Sequence, residues 1–294
     1  MKIAVVGLGG VGGYLAACFS KAGLDVTGFA RGAHLEAIQK NGITVQEDKE
    51  QWNTPLKAKE LREAEGNFDI VIFCVKSYDL ADSYKQIAHC VSAQTILISF
   101  SNGVNNGDVL RELSHARVLD GAVYILSHIE KPGVIRKKGK VFAAVFGGDV
   151  EATRELAAIF EQAQLRYKMP EDIKTALWKK YIFISAFATL TSYYDKPIAA
   201  VYKEHKQEAE KLLREIAAVA KEKGVNIDDE VQKALDTASK LPEDASTSMH
   251  LDFQNDKQVE LESLSGFIAH AGQEKAPLMN EMYAALKERI EKKL

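Results

Sequence analysis

Met1-Lys-Ile-Ala-Val-Val-Gly7-Leu8-Gly9-Gly10-Val11-Gly12-Gly13 opens the chain, and its reading decides the fold. Residues 3–6 form a short apolar run, and the glycines after it lead directly into a helical pattern over residues 13–22. Gly7 permits a tight turn, Gly9 lets bare backbone approach a bound anion, and Gly12 allows the helix to pack close on the sheet. A second strand pattern follows near residues 25–30, which completes a βαβ unit. The first turn of a helix carries unsatisfied N–H groups that attract phosphate. The loop residues Gly7, Leu8, Gly9, Gly10, Val11 and Gly12 are therefore expected to hold a dinucleotide pyrophosphate.

A secretory or membrane segment is the competing reading of this apolar start. Five glycines interrupt it, only Lys2 precedes it, and it falls short of the roughly 20 residues of a span, so a cytoplasmic protein is expected. Cys18, Cys74 and Cys90 sit in apolar surroundings without C-x-x-C spacing, which suits reduced, buried thiols. The net charge of −3 gives no global reason to expect nucleic acid or an anionic membrane as a partner. No His, Cys and Asp cluster has metal-ligand spacing, and no metal is expected.

The 294 residues, 46% hydrophobic, suffice for two domains. Strand patterns at residues 3–6, 26–30, 69–75, 95–100 and 118–125 alternate with amphipathic or turn-rich stretches, and short runs at 43–46, 133–136 and 141–146 add to them. Residues 150–162 read as a helix. Beyond Pro170 the spacing becomes helical throughout, over 173–190, 203–223, 229–240, 259–271 and 276–293. The fold class is α/β: an N-terminal Rossmann-type doubly wound sheet in residues 1–169 and a C-terminal all-α domain in residues 170–294. The apolar surfaces of the helical half could support a homodimer.

Ligands of open α/β sheets lie beyond the carboxyl ends of the strands. Arg31 follows the second strand at the point where an acidic residue would hold the ribose 2′-hydroxyl of NAD. A guanidinium there suits the 2′-phosphate of NADP, so NADPH is the expected cofactor. Lys76 and Asn102 end two later strands and are expected beside it. In the helical half, Lys180 lies on the face that carries Ile184 and Phe187, whereas Lys179 points away. A partly desolvated ammonium is an effective proton donor near neutral pH. Glu260 continues the apolar stripe of Leu264, Phe267, Ile268 and Ala271, and a carboxylate on an inward face needs a cation or donors. The bland alternatives are a snorkelling lysine and a glutamate at a frayed helix end. His250 reads as a polar residue of the connecting loop.

Gly7-x-Gly9-x-x-Gly12, Arg31, Cys74-Val75-Lys76, Asn102-Gly103, Trp178-Lys179-Lys180, Ser246-Thr247-Ser248-Met249 with Asp252, and Glu260 occur in an order and spacing that resembles the ketopantoate reductase (2-dehydropantoate 2-reductase) family over essentially the whole length. The resemblance implies reduction of the C2 ketone of a small-molecule 2-oxo acid, ketopantoate, by NADPH, a step toward pantothenate. It implies Lys180 as general acid and Glu260 as the group that fixes substrate and lysine. Ser248 would bind the substrate carboxylate, and Lys76 and Asn102 would line the junction of cofactor and substrate. Many family members carry asparagines one and two turns after the catalytic lysine, where this chain has Ile184 and Ala188, so another 2-oxo acid stands as an alternative. Ser185, Thr189, Thr191 or Ser192 could compensate. A related dehydrogenase of the β-hydroxyacid or glycerol-phosphate type and a non-catalytic NADPH-binding sensor are the remaining readings.

Overall fold

The computed structural model describes residues 1–272 and 274–292. The chain divides into two compact units: Met1–Ser101 with Asn105–Ile173, and Asn102–Val104 with the residues from Lys174 on.

The first unit runs β1 (Lys2–Val6), α1 (Gly10–Lys21), β2 (Asp25–Phe29), α2 (Gly32–Asn41), β3 (Ile43–Gln46), β4 (Gln51–Thr54), β5 (Lys57–Lys59), β6 (Ile70–Phe73), α3 (Leu80–Ile87), β7 (Ile96–Ser99), α4 (Asn106–Leu113), β8 (Arg117–Lys131), β9 (Val134–Gly147), α5 (Val150–Gln162) and β10 (Tyr167–Lys168). Its sheet has the order β4-β3-β9-β8-β7-β6-β1-β2-β5, with β10 added on β9. From β5 to β8 every pairing is parallel. The central strands are apolar along their length because they are buried on both faces. Ile3, Val5, Ile70, Ile72, Ile96 and Ile98 pack into one core. Their neighbours Ala4, Val6, Val71, Phe73 and Leu97 pack into a second core on the opposite face. This pleat alternation between two helix-covered faces makes the sheet doubly wound.

Two features of this unit differ from the sequence expectation. The runs expected at 118–125, 133–136 and 141–146 belong to one long antiparallel hairpin, β8 with β9, whose register shifts between Ile125 and Leu126 and between Ile129 and Lys131. The charged stretch Lys137-Lys138-Gly139-Lys140, between two of these runs, is part of β9. Lys137 is accommodated there by an ion pair with Glu47 at 2.8 Å. The short strands β4, β5 and β10 carry too little apolar pattern to be read.

The second unit is helical: α6 (Ile173–Tyr194), α7 (Ile198–Glu204), α8 (Lys206–Glu222), α9 (Asp228–Ala238), α10 (Ser248–Gln254), a π-turn (Glu262–Gly266) continuing into α11 (Phe267–Ala269), and α12 (Pro277–Glu291). Trp178, Phe187, Leu212, Leu213, Ile216, Leu235, Ile268, Met279 and Leu286 centre its core. The helix expected over 203–223 is two helices, broken at His205, whose φ and ψ of −130° and 34° leave the helical region. Helix α10, unforeseen, spans seven residues, too few to show periodicity. The helix expected over 276–293 is described to Glu291, and Lys293 lies outside the described residues. Among the described residues no helix is long and apolar enough to cross a membrane.

Candidate functional site

The glycine loop joins β1 to α1, and each glycine faces a different constraint. Gly7 has φ +90°, a conformation that side chains rarely adopt. A Cβ on Gly12 would stand 2.0 Å from the Gly7 carbonyl oxygen, so the helix can approach the strand this closely only without one. Gly9 is the opposite case, with nothing within 4 Å of its Cβ position. Open space above bare backbone, at the start of a helix whose N-cap Gly9 has no side-chain cap, fits a pyrophosphate. Gly10 lies beneath the backbone of β8, where a Cβ would meet the Ser127 carbonyl at 2.3 Å. Leu8 is buried, with Gly28 opposite its side chain, and Val11 is partly buried, so both can offer a ligand only backbone.

Arg31 follows β2 directly, in extended conformation at the N-cap of α2, and is exposed. The planar guanidinium thus emerges at the carboxyl end of the strand next to β1. Lys76 follows β6, on the other side of β1, and is half-buried.

In the helical unit, three of the expected residues come together. The Lys180 ammonium donates to the Asn102 side-chain oxygen at 3.3 Å. Burial pulls the lysine down from its ordinary range to about 8, against the opposing pull of the Glu260 carboxylate, whose charge reaches it. Glu260 is 4% exposed, so this is a charge held inside the protein and not at a solvated surface. Lys179, one residue before, is exposed and pairs with Glu230 at 3.6 Å. Ser248 stands exposed as the first residue of α10.

Two polar links fasten α10 to the end of α6. Thr191 and Thr247 share a hydroxyl contact of 2.8 Å. His250, expected in a loop, is a buried residue of α10 whose ring bonds Ser246 and Asp195, each at 2.7 Å. These links fix where Ser248 begins its helix. Sequence gave no hint of them because the partners are 55 and 56 positions apart.

The helix expected over 259–271 is also altered. Glu260 precedes the helical segment, which opens as a π-turn in which the Phe267 N–H reaches back to the Glu262 carbonyl. Tyr181 donates toward the Ser263 and Leu264 carbonyls at 2.9 and 3.0 Å, and Ser185 donates to the Leu264 carbonyl at 2.6 Å. Thr189 meets Ser265, hydroxyl to hydroxyl, at 2.7 Å. Tyr181, Ser185 and Thr189 repeat every fourth residue along the most apolar part of α6, a hydroxyl stripe legible in the sequence.

A glycine-loop α/β unit joined to a helical unit with an inward lysine and carboxylate is the organisation of a pyridine-nucleotide-dependent oxidoreductase. The chain belongs to the ketopantoate reductase family. Residues 3–148 match the family model described as ketopantoate reductase PanE/ApbA, and residues 172–290 match that of its C-terminal part. It is similar to an uncharacterized oxidoreductase, YkpB, of Bacillus subtilis (strain 168), 28% identical over 298 residues that cover 97% of this chain and 98% of that one. It is also similar to a 2-dehydropantoate 2-reductase of Mesorhizobium japonicum, 28% identical, with 92% of this chain and 91% of that protein covered. Among solved structures, a PanE/ApbA family ketopantoate reductase from Ralstonia eutropha JMP134 superposes with a TM-score of 0.92 at 26% identity, covering 99% of both chains.

Proposed function

We propose that the protein reduces the C2 ketone of 2-dehydropantoate to the alcohol of pantoate with NADPH, as a step of pantothenate biosynthesis. The observation that carries this reading is the grouping of Lys180, Asn102 and Glu260. A lysine lowered to about 8 is protonated at neutral pH yet gives up its proton readily, which suits a general acid. Bound NADPH supplies the hydride that C2 receives. The residues of the chain do the rest: Lys180 protonates the oxygen of the former ketone, Asn102 orients the ammonium, and Glu260 stabilises its charged form. Ser248 is assigned the substrate carboxylate. On the cofactor side, Gly7 to Gly12 hold the pyrophosphate and Arg31 the 2′-phosphate, with Lys76 nearby. The absence of an acidic residue after β2 favours NADPH over NADH.

A second reading, reduction of a more apolar 2-oxo acid, has an observation of its own. The positions one and two turns beyond Lys180 are Ile184 and Ala188, which donate nothing to a substrate hydroxyl. Ser185 and Thr189 are bonded to carbonyls of the protein, and Thr191 is bonded to the Phe187 carbonyl and to Thr247. The Ser192 hydroxyl is buried without a partner among the described residues, but it lies 12 positions on, about a third of a turn off the Lys180 face. A site that offers a hydroxyl no partner discriminates weakly in its favour.

The two readings separate in one set of assays. Oxidation of NADPH and of NADH is followed with ketopantoate, pyruvate and unhydroxylated branched 2-oxo acids. Highest kcat/KM on ketopantoate with NADPH supports the first reading, and highest kcat/KM on a branched acid supports the second. Tight NADPH binding with no turnover on any of them overturns both in favour of a sensor.

A further inference from the structure

Four hydroxyl-bearing residues of the helical unit meet along one seam between α6 and the π-turn. Tyr181, Ser185 and Thr189 of α6 are 2% exposed or less, and Ser265 of the π-turn is fully buried. Three of the contacts end on main-chain carbonyls, two at Leu264 and one at Ser263. A π-turn widens the helix by one residue and shifts its hydrogen-bond ladder, so carbonyls there need donors from outside the helix. The turn begins two residues after Glu260, and its first residues remain tied to Glu260: the Leu264 N–H donates to the Glu260 carbonyl at 3.1 Å. The residue whose carbonyl receives Tyr181 and Ser185 is thus the one whose amide holds the Glu260 backbone. On α6, Tyr181 is the neighbour of Lys180 in sequence. One backbone hydrogen bond and one peptide link therefore connect the grip to the main chain of Glu260 on one side and of Lys180 on the other.

We propose that Tyr181 and Ser185 are positioning residues, which grip the π-turn and so fix the Glu260 carboxylate in register with Lys180. The inference rests on Lys180 being the proton donor proposed above. Loss of either hydroxyl lets the turn relax toward an ordinary α-helical register, which rotates the residues that precede it. Glu260 then reaches Lys180 less well, and the charged ammonium loses part of its support. Thr189 with Ser265 closes the seam one turn further along α6.

The test uses the full chain with 13Cε-labelled lysine, the Lys180 resonance being assigned by its loss in Lys180→Arg. Tyr181→Phe removes one hydroxyl and keeps the ring, and Ser185→Ala does the same for the second donor. Each should lower the titration midpoint of the Lys180 ammonium by roughly half a pH unit or more, the scale of one altered charge contact. Each should also reduce kcat about threefold above about pH 9, where the protonated fraction follows the midpoint, while leaving KM for NADPH unmoved. Ser185→Thr, which keeps the donor, should restore the midpoint, and Tyr181→Phe should add nothing in a Glu260→Gln background. Lower thermal stability with an unmoved midpoint and kcat would make the seam purely structural and overturn the proposal. Should Tyr181→Phe not fold, Ser185→Ala decides the question alone. The titration needs no turnover, so a moved midpoint in a protein inactive on every 2-oxo acid would uphold the positioning role while removing the reductase reading.

Discussion

Lys180 is a cation in surroundings that favour its neutral form, and pH dependence follows from that. With its ammonium lowered to about 8, the residue is protonated below that pH and deprotonated above it. The rate of ketone reduction should therefore be level on the acid side and fall toward tenfold per unit above about pH 8. A pH profile of kcat checks this, and a rate that stays level through pH 10 contradicts it. Stability moves the other way, because the unfolded chain keeps the lysine proton up to the ordinary lysine range whereas the folded chain releases it from about 8. Between those limits the unfolded state binds more protons, and stability contributed by this group rises with pH. Glu260→Gln should move the kinetic limb to lower pH, since the carboxylate is what opposes the effect of burial. Arg31 carries a separate expectation. Arg31→Ala should weaken NADPH binding about tenfold or more while leaving NADH binding within about twofold, the loss of a charge-assisted contact to one phosphate. Equal weakening of both cofactors, measured by fluorescence titration, would remove the 2′-phosphate from its assignment.

The β1–α1 connection separates packing from binding within one element. Gly12→Ala drives a Cβ into the Gly7 carbonyl, and Gly9→Ala puts one into open space. The first should destabilise the fold by about 1–3 kcal/mol or more, as overpacking does. The second should leave Tm unchanged and abolish tight NADPH binding, because the added methyl occupies the space left for the pyrophosphate. Thermal denaturation beside cofactor titration distinguishes them, and a Gly9→Ala protein that binds NADPH normally would show that the loop is not a phosphate cradle. These glycines are legible in the sequence because each constraint is local. The π-turn is not, since a periodicity of Leu264, Phe267 and Ile268 that suits an α-helix also tolerates one widened turn. Its carbonyls are met by hydroxyls about 80 residues away, on α6. The β8–β9 hairpin escaped for a similar reason, its middle being charged and its strands held by backbone pairing.

At the scale of the molecule, the change from alternating strand and helix patterns to helical spacing after Pro170 is visible in the sequence and matches an α/β unit followed by helices. The sequence does not reveal that Asn102–Val104, from the middle of the first half, groups with the helical unit. That grouping is what brings Asn102 to Lys180, and no periodicity encodes it, since it depends on where a loop leaves the sheet. Glu260 and Lys180, too, are joined only by tertiary structure. The proposed chemistry thus depends on Lys180 as its proton donor. Lys180→Ala tests that role most directly, with single-turnover oxidation of bound NADPH by the best 2-oxo acid measured beside the Kd for NADPH. Reduction should slow by at least about a hundredfold, the usual worth of a general acid, with Kd unchanged within about twofold. Reduction at close to the wild-type rate would contradict Lys180 as the proton donor.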